Sequence, residues 1–162
     1  MVGVKRDLTE QKRLEEELGR ASGQLQAMLD NIPDRIYFKD AESRFVKCNR
    51  AVARRLGLRH PDMVIGKTDA DFFPADKAKE FYEDEQLIIR TGQALINKIE
   101  RAARRDGEVT WSCVTKVPLR DPEGKIVGLV GISRDITEQK QAEEALRQSR
   151  SEEHTSDSSH RT

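Results

Sequence analysis

Apolar residues recur at alternating spacings of four and three along the N-terminal part of the chain. The series comprises Leu14, Leu18, Ala21, Leu25, Met28 and Ile32. This spacing is the heptad seam of a coiled coil, in which one apolar stripe faces a second helix. Gly19 and Gly23 weaken the helix by about 1 kcal/mol each relative to alanine, and Pro33 ends it. Residues 9–32 are therefore predicted to be a coiled-coil linker helix that forms a parallel homodimer.

Beyond Pro33 the pattern changes to short alternating runs that are typical of strands. Strands are predicted at 35–39, 44–48, 95–103, 108–117 and 125–133. Helices are predicted at 50–56, with Asn49 as its cap and Gly57 as its stop, and at 74–91, ended by Gly92. The apolar stripe of the helix at 74–91 is assigned to Ala78, Phe81, Tyr82, Ile88 and Ile89. Arg105-Asp106-Gly107 is typical of a tight hairpin.

The last predicted strand is apolar at both alternating sets of positions. Ile126, Val130 and Ile132 fall on one face, and Val127 and Leu129 on the other. Such a strand is expected at the centre of a sheet and covered on both sides. The element order β-β-α-α-β-β-β thus predicts an α+β fold, a five-stranded antiparallel sheet with helices on one face and a helix at each end.

Composition sharpens this picture and excludes several classes of function. The 162 residues carry 29 basic and 29 acidic side chains, so no broad cationic field favours nucleic acid or an anionic membrane. All eight aromatic residues lie between Tyr37 and Trp111, so the core is expected there. No apolar run is long enough for a membrane span, and no secretory signal opens the chain. A cytoplasmic segment without membrane contact is expected.

The two ends of the predicted domain contain a repeat. Residues 2–18 and 130–146 are identical at 11 of 17 positions, including the shared pattern V-G-x-x-R-D-x-T-E-Q-K. Residues 1–8 are therefore predicted to be the final strand of a preceding domain copy in a tandem array, and residues 137–149 the start of the next linker helix. Residues 150–162 resemble a translated sequencing adapter and are predicted to be a disordered, artefactual tail, in which His154 and His160 have no function.

Several motifs, in this layout, resemble the PAS domain family. They are Asn49 after the second strand, Leu56-Gly57, Ile65-Gly66-Lys67, Thr68-Asp69-Ala70-Asp71-Phe72-Phe73-Pro74, Thr91-Gly92-Gln93 and Asp135-Ile136-Thr137. The resemblance covers residues 30–137 and places the domain at 33–136. It implies a sensory and dimerising module upstream of an output domain, with a ligand site between the sheet and its covering helices.

The resemblance also allows cofactors to be considered one by one. Haem-binding PAS domains commonly supply an axial histidine from the long helix, and residues 74–91 contain none; His60 lies in a polar loop. Flavin photoreceptors carry a reactive Cys-Arg pair in a short helix, whereas Cys48 here ends a strand before Asn49. Haem and covalent flavin are therefore disfavoured, and an unidentified small ligand is left open.

The predicted pocket is apolar. Its candidate lining residues are Ile36, Phe38, Val46, Cys48, Phe72, Phe81, Ile88, Trp111 and Val130. The same residues could equally fill a ligand-free core. Cys48 and Cys113 lie on strands that are not expected to be neighbours, so they are predicted to stay unpaired, and Cys48 to act as a small hydrophobic residue.

Motifs for catalysis and metal binding are missing from the sequence. The acidic groups Asp69/Asp71 and Glu83-Asp84-Glu85 are interpreted as a loop pair and a solvated helix face. No catalytic residue, metal site or enzymatic activity is predicted for this chain itself. The predicted role is a sensory PAS domain of a bacterial two-component histidine kinase. The alternatives are a ligand-free dimerisation spacer and a PAS module of a diguanylate cyclase.

Signal transfer is predicted at the junctions between domain and helix. The coupling residues are Asp7, Thr9, Asp135, Thr137 and Glu138. Asp135-Ile136-Thr137-Glu138 has a capping-box layout, in which the Asp135 carboxylate accepts from the first helical turn and Glu138 reaches back to the Asp135 amide. Such a cap would join the last strand to the output helix.

Overall fold

A computed structural model describes the backbone of residues 2–103 and 107–158 and the side chains of residues 7–103 and 107–155. Helix α1 (Val2–Asp30) is followed by strands β1 (Arg35–Asp40) and β2 (Phe45–Cys48) and helix α2 (Arg50–Leu56). Two short 3-10 turns, Pro61–Val64 and Asp69–Asp71, lead into helix α3 (Ala75–Thr91). Strands β3 (Leu95–Ala103), β4 (Val109–Arg120) and β5 (Ile126–Asp135) follow, and helix α4 (Thr137–Ser158) comes last.

The five strands form one antiparallel sheet in the order β2-β1-β5-β4-β3. Helices α2 and α3 pack on one face of it. The predicted α+β class, the sheet and the central position of the last strand are confirmed. The predicted hairpin at 105–107 falls largely outside the described residues.

Strand pairing sorts the side chains onto two faces, because successive residues of a strand point in opposite directions. Across β1, β5 and β4, one rung joins Tyr37, Gly131 and Lys116, and this rung faces the helices. The neighbouring rung joins Phe38, Val130 and Val117 on the opposite face. We call these the inner and outer faces.

The outer face of the central strand is open in this chain. Ile132 on the outer face is 42% exposed, whereas Leu129 on the inner face is fully buried. The expectation that β5 is covered on both sides is therefore wrong for the single chain.

Asn49 connects three elements at the start of the domain. Its side chain is fully buried, and its Oδ1 atom accepts hydrogen bonds from the amides of Ile36 and Val52. Its Nδ2 atom donates to the carbonyl oxygens of Leu29 and Asp34. The predicted cap of α2 is thus confirmed, and the same side chain also fixes the end of α1 against β1.

Both predicted helix stops are confirmed. Gly57 and Gly92 follow α2 and α3 with φ angles of 74° and 72°. This left-handed conformation is easily reached only by glycine, and it lets the amide of each glycine bond back to the last helical turn.

The two ends of the chain differ from the sequence prediction. Residues 2–8, predicted as a strand, belong to helix α1. In the second copy the same motif pairs with β1 and β4, whereas the first copy has no neighbouring strands among the described residues and continues the helix behind it. Residues 150–158, predicted as disordered, extend α4, since no proline or glycine interrupts residues 137–158. Among the described helices, none has the length and apolar character needed to cross a membrane.

Candidate functional site

A cavity of about 90 Å³ lies between the inner face of the sheet and helices α2 and α3. Sheet residues on its wall include Arg35, Tyr37, Glu100, Ser112, Val114, Lys116 and Ser133. The helices and the loop before α3 contribute Val52, Arg55, Leu56, Asp69, Phe73, Phe81 and Glu85. Both polar and apolar side chains therefore surround the space.

A buried ion cluster joins the sheet to α3 beside the cavity. Lys39 Nζ lies 2.5 Å from Asp69 Oδ2 and 2.7 Å from Glu85 Oε1. Lys116 Nζ lies 3.1 Å from the same Glu85 oxygen. Aromatic faces complete the surroundings of both ammonium groups, with Phe45 at 4.4 Å from Lys39 and Phe81 at 5.3 Å from Lys116. We call Lys39, Asp69, Glu85 and Lys116 the ion cluster.

Burial shapes the protonation of the acidic groups here. It raises the pKa of Asp69, although Lys39 acts against that rise, and it raises the pKa of Glu100. Burial also raises the pKa of Tyr37. For Lys116 burial works the other way, but the acidic groups around it, Tyr37 and Glu85 foremost, hold its pKa above the ordinary value. The buried Lys116 side chain is therefore held in its charged form.

Arg35 connects the cavity with the start of α4. Its Nη2 atom donates to Ser112 Oγ at 2.7 Å and Ser133 Oγ at 3.0 Å, both on the cavity wall. Its Nη1 atom lies 3.9 Å from the Asp135 carboxylate. Asp135 Oδ1 in turn accepts from the amide and the hydroxyl group of Thr137, the first residue of α4.

The junction is also tied to β4. The Trp111 amide donates to Thr137 Oγ1, and the Ile136 amide donates to the Trp111 carbonyl oxygen. Burial of the Asp135 carboxyl group acts to raise its pKa, but the hydrogen bonds from Thr137 hold that pKa below its ordinary value. Glu138 lies in the first turn, and the described residues show no bond from the Asp135 amide to it. The reciprocal half of the predicted capping box is therefore wrong.

Most of the predicted pocket residues lie elsewhere. Phe81 lines the cavity, and Cys48 and Phe72 pack in the neighbouring apolar cluster around Phe45. The remaining candidates are Ile36, Phe38, Trp111 and Val130, which lie on the outer face, Val46, which is exposed on edge strand β2, and Ile88, which is buried in α3 but absent from the cavity wall. The prediction had the right elements but the wrong strand face.

The sequence prediction also missed the charged residues of the cavity wall, because it assigned acidic side chains to solvent. Glu85, interpreted as part of a solvated helix face, is fully buried, and Asp69 is 8% exposed rather than a solvated loop residue. The buried stripe of α3 is Ala78, Phe81, Glu85 and Ile88, whereas Tyr82 is half exposed. The spacing of Glu85 between Phe81 and Ile88 was the available signal, because it places a carboxylate on the apolar side of the helix.

The other chemistry-bearing residues occupy unremarkable positions. His60 is exposed and accepts from the Asp62 amide. Cys48 and Cys113 are both free, as predicted, and burial raises the pKa of Cys48 to about 11. Within the described part of the chain, no group of three or more histidine, cysteine or acidic residues is arranged to hold a metal ion.

The predicted dimer seam is exposed along α1. Leu18 is 72% exposed, and Leu14, Ala21, Leu25, Met28 and Ile32 are also exposed. Among the described side chains of α1, Leu29, the residue after Met28, is the one that is buried against the domain. Asp7 and Thr9, predicted at a strand-to-helix junction, lie inside α1 instead.

Comparison with protein families agrees with this architecture. A family model described as the PAS fold matches residues 29–141. The chain belongs to the PAS family. The family is a sensory rather than a catalytic one, and its match includes the sheet, the cavity and the junction with α4.

The chain is similar to segments of longer proteins. The methanogenesis regulatory histidine kinase FilI of Methanothrix harundinacea is 32% identical over 78% of this chain and 14% of its own length. A diguanylate cyclase of Vibrio cholerae is 26% identical over 70% of this chain and 35% of its length. A structure of VqmA bound to DPO is 29% identical, with a TM-score of 0.63 over 69% of this chain and 56% of that chain. The chain thus spans only a minor part of the length of the histidine kinase and of the diguanylate cyclase.

Proposed function

We propose that this PAS domain senses a small molecule in its cavity and relays occupancy through α1 and α4 to the output domain of a cytoplasmic histidine kinase. The observation that carries the proposal is the position of Arg35. One end of its guanidinium group binds two cavity-wall serines, and the other faces Asp135, the last residue of β5, which accepts hydrogen bonds from the first residue of α4. A ligand that displaces Arg35 therefore changes the support of the output helix.

Two similarities support this proposal. FilI is a histidine kinase, which favours a kinase as the output domain, and VqmA, a protein with the same fold, has been solved with a bound ligand, DPO. The Vibrio cholerae relative favours a second candidate output, a diguanylate cyclase. The sensing mechanism is the same for both, because it involves only the cavity, Arg35 and the helix junction.

Removing the Asp135 carboxylate tests the relay. We expect Asp135→Ala to fold and keep its cavity, because loss of a helix-end hydrogen bond costs on the order of 1 kcal/mol. In the full-length parent the variant should lose most of the difference in output between its stimulated and unstimulated states. The measurement is kinase autophosphorylation at matched expression.

The matched control is Asp121→Ala. Asp121 also accepts a backbone amide hydrogen bond, from Lys125, but it lies in the turn between β4 and β5 and outside the cavity wall. Its loss should leave regulation intact. If Asp135→Ala is regulated like the wild type, Asp135 is only a structural cap and the proposed relay is wrong.

Helix α1 is proposed to supply the dimer through which the signal passes. Its exposed seam runs along the side of the helix that the domain leaves uncovered, and its C-terminal end is fixed to the domain by Asn49. A second copy placed in parallel buries both seams and aligns two domains. Rotation or a register shift of the paired helices could then pass between modules.

Changing Leu18 and Leu25 to aspartate together should convert the dimer into a folded monomer. Each substitution places a charge in the centre of the seam, where a parallel copy would bring a second charge opposite it. Analytical ultracentrifugation gives the oligomeric state, and circular dichroism gives the fold. The control is Arg20→Asp with Ala27→Asp, two exposed positions of α1 beside the seam, which should remain dimeric. A dimeric Leu18/Leu25 variant would place the interface elsewhere.

A further inference from the structure

Two carboxylate oxygens at the cavity have no hydrogen-bond donor among the described residues. They are Oε2 of Glu85 and Oε1 of Glu100. The Glu85 side chain is fully buried, and that of Glu100 is 11% exposed. Both residues line the cavity. Lys98 Nζ lies 3.9 Å from the Glu100 oxygen, too far for a hydrogen bond. Because a buried acceptor without a hydrogen-bond donor is costly and rare in native proteins, both oxygens require a donor beyond those of the described residues.

The two oxygens of Glu85 have different surroundings. Oε1 is bonded to both Lys39 and Lys116 within the ion cluster. Oε2 has no such donor. Glu85 is therefore anchored through one oxygen while the other stays available, an arrangement that suits a ligand-binding acceptor rather than a further ion pair.

Charge on the cavity wall indicates a neutral ligand. Arg35, Arg55 and Lys116 stand against Asp69, Glu85 and Glu100. Behind this wall lie one further cation, Lys39, which contacts Asp69, and one further anion, Asp135, which faces Arg35. An anion would meet two electron-rich oxygens that lack donors, and a cation would add charge to a balanced site. A neutral molecule with hydrogen-bond donors satisfies the oxygens without either cost.

Size and shape restrict the ligand further. The cavity volume of about 90 Å³ is smaller than the roughly 150 Å³ of a cavity that takes benzene. The remaining walls are formed by Phe45, Phe73, Phe81 and Leu56. A flat ring of about five heavy atoms can stack against such walls.

We propose that the cavity binds a small, neutral, planar molecule whose N–H groups donate to Glu85 and Glu100. This inference rests on the proposed sensing function and names the class of ligand for the same cavity. Glu85 then contacts the ligand through Oε2 and the two lysines of the ion cluster, Lys39 on β1 and Lys116 on β4, through Oε1.

Pyrazole and isoxazole form a matched pair of probes for this inference. They are neutral five-membered rings with the same acceptor nitrogen, but isoxazole has an oxygen where pyrazole has its N–H group. Each is titrated into the full chain, labelled with ¹⁵N, and binding is followed by amide chemical shifts around Val52 and Val114. We expect pyrazole to bind about tenfold more tightly, because isoxazole leaves the Glu85 acceptor unsatisfied.

Three glutamine variants test whether the preference for pyrazole depends on the cavity carboxylates rather than on the overall charge of the protein. Glu85→Gln can keep one oxygen for the lysines but places an NH₂ group toward the cavity, so the preference for pyrazole should disappear or reverse. Pyrazole carries a single N–H group, which donates to Glu85, so Glu100→Gln should keep the preference for pyrazole. If Glu85→Gln does not fold, the comparison of the two rings on the wild type decides the question. Glu83→Gln, on the exposed side of α3 near Lys79, is the control and should bind like the wild type.

The possible outcomes distinguish the inference from the proposed function. Equal affinity for the two rings, a preference for isoxazole, or no binding of either overturns the inference, since ordered water would then satisfy the carboxylates. Tighter binding of acetate than of pyrazole also overturns it, although small-molecule sensing would survive. Failure of the relay itself shows only in the output assay of Asp135→Ala.

Discussion

Gly128→Ala should destabilise the domain by about 3 kcal/mol, at the upper end of the range for overpacked interiors. A Cβ atom at position 128 would lie 2.1 Å from the backbone carbonyl oxygen of Lys39. That oxygen belongs to β1, which pairs with β5 along six consecutive residues. Because a backbone atom in the middle of a sheet cannot rotate away as a side chain can, the strands must separate to admit the methyl group.

Urea unfolding followed by circular dichroism measures this effect. Gly23→Ala is the control, since nothing lies within 4 Å of its added Cβ atom in α1 and alanine favours a helix by about 1 kcal/mol. The two variants should therefore move the unfolding midpoint in opposite directions. An unchanged midpoint for Gly128→Ala would show that β1 and β5 are less closely paired than described.

Gly131→Ala provides a second comparison on the same strand. Its Cβ atom would meet the ring of Tyr37 at 2.2 Å, and this obstacle is a side chain. Shortening Tyr37 to leucine in the Gly131→Ala background should therefore recover part of the lost stability. No side-chain substitution should have the same effect for Gly128→Ala.

Local patterns in the sequence predicted the fold well because local physics determines most of its elements. Alternation located every strand, and Asn49, Gly57 and Gly92 stand at helix ends where their chemistry is favoured. The apolar character of residues 126–132 placed β5 at the centre of the sheet. The strand prediction failed at residues 2–8, since this motif needs neighbouring strands to pair with and has none among the described residues.

The site was harder to predict because the choice of strand face depends on residues distant in sequence. In β1, Ile36 and Phe38 are the apolar candidates for the interior, whereas Arg35, Tyr37 and Lys39 occupy it. Lys39 can be buried only because Asp69 and Glu85 meet it, and these residues are 30 and 46 positions away. No local pattern contains that pairing. The prediction of a solvated Glu85 and the choice of the wrong sheet face therefore have the same cause, because both missed the pairing of Glu85 with Lys39.

Lys39→Met should destabilise the domain by about 3–5 kcal/mol at neutral pH, the usual cost of removing one partner of a buried ion pair. Methionine fills a similar volume, so the loss comes mainly from charge. Asp69 loses its ammonium partner, and Glu85 keeps only Lys116. Lys98→Met is the matched control. Lys98 also contacts carboxylates, those of Asp84 and Glu80 and, at 3.9 Å, that of Glu100, but its side chain is 31% exposed, so its loss should cost less than about 1 kcal/mol.

The pH dependence of Lys39→Met separates this electrostatic cause from a packing defect. Burial already raises the pKa of Asp69 above its ordinary 3.8, and Lys39 opposes that rise. Without Lys39 the pKa of Asp69 should rise further, so the folded variant takes up a proton more readily than the unfolded chain. Its stability should then increase as the pH falls from 7 toward 4 and decrease as the pH rises through the folded-state pKa.

The decisive quantity is therefore the difference between variant and wild type in urea unfolding at pH 7 and at pH 4.5. We expect the deficit of Lys39→Met to shrink at the lower pH, because a protonated Asp69 no longer buries an uncompensated charge. The deficit of Lys98→Met should stay small at both values. A Lys39→Met deficit that is the same at both pH values would mean that the ammonium group acts mainly through its packing against Phe45, and the ion cluster would then be no electrostatic link between the sheet and α3.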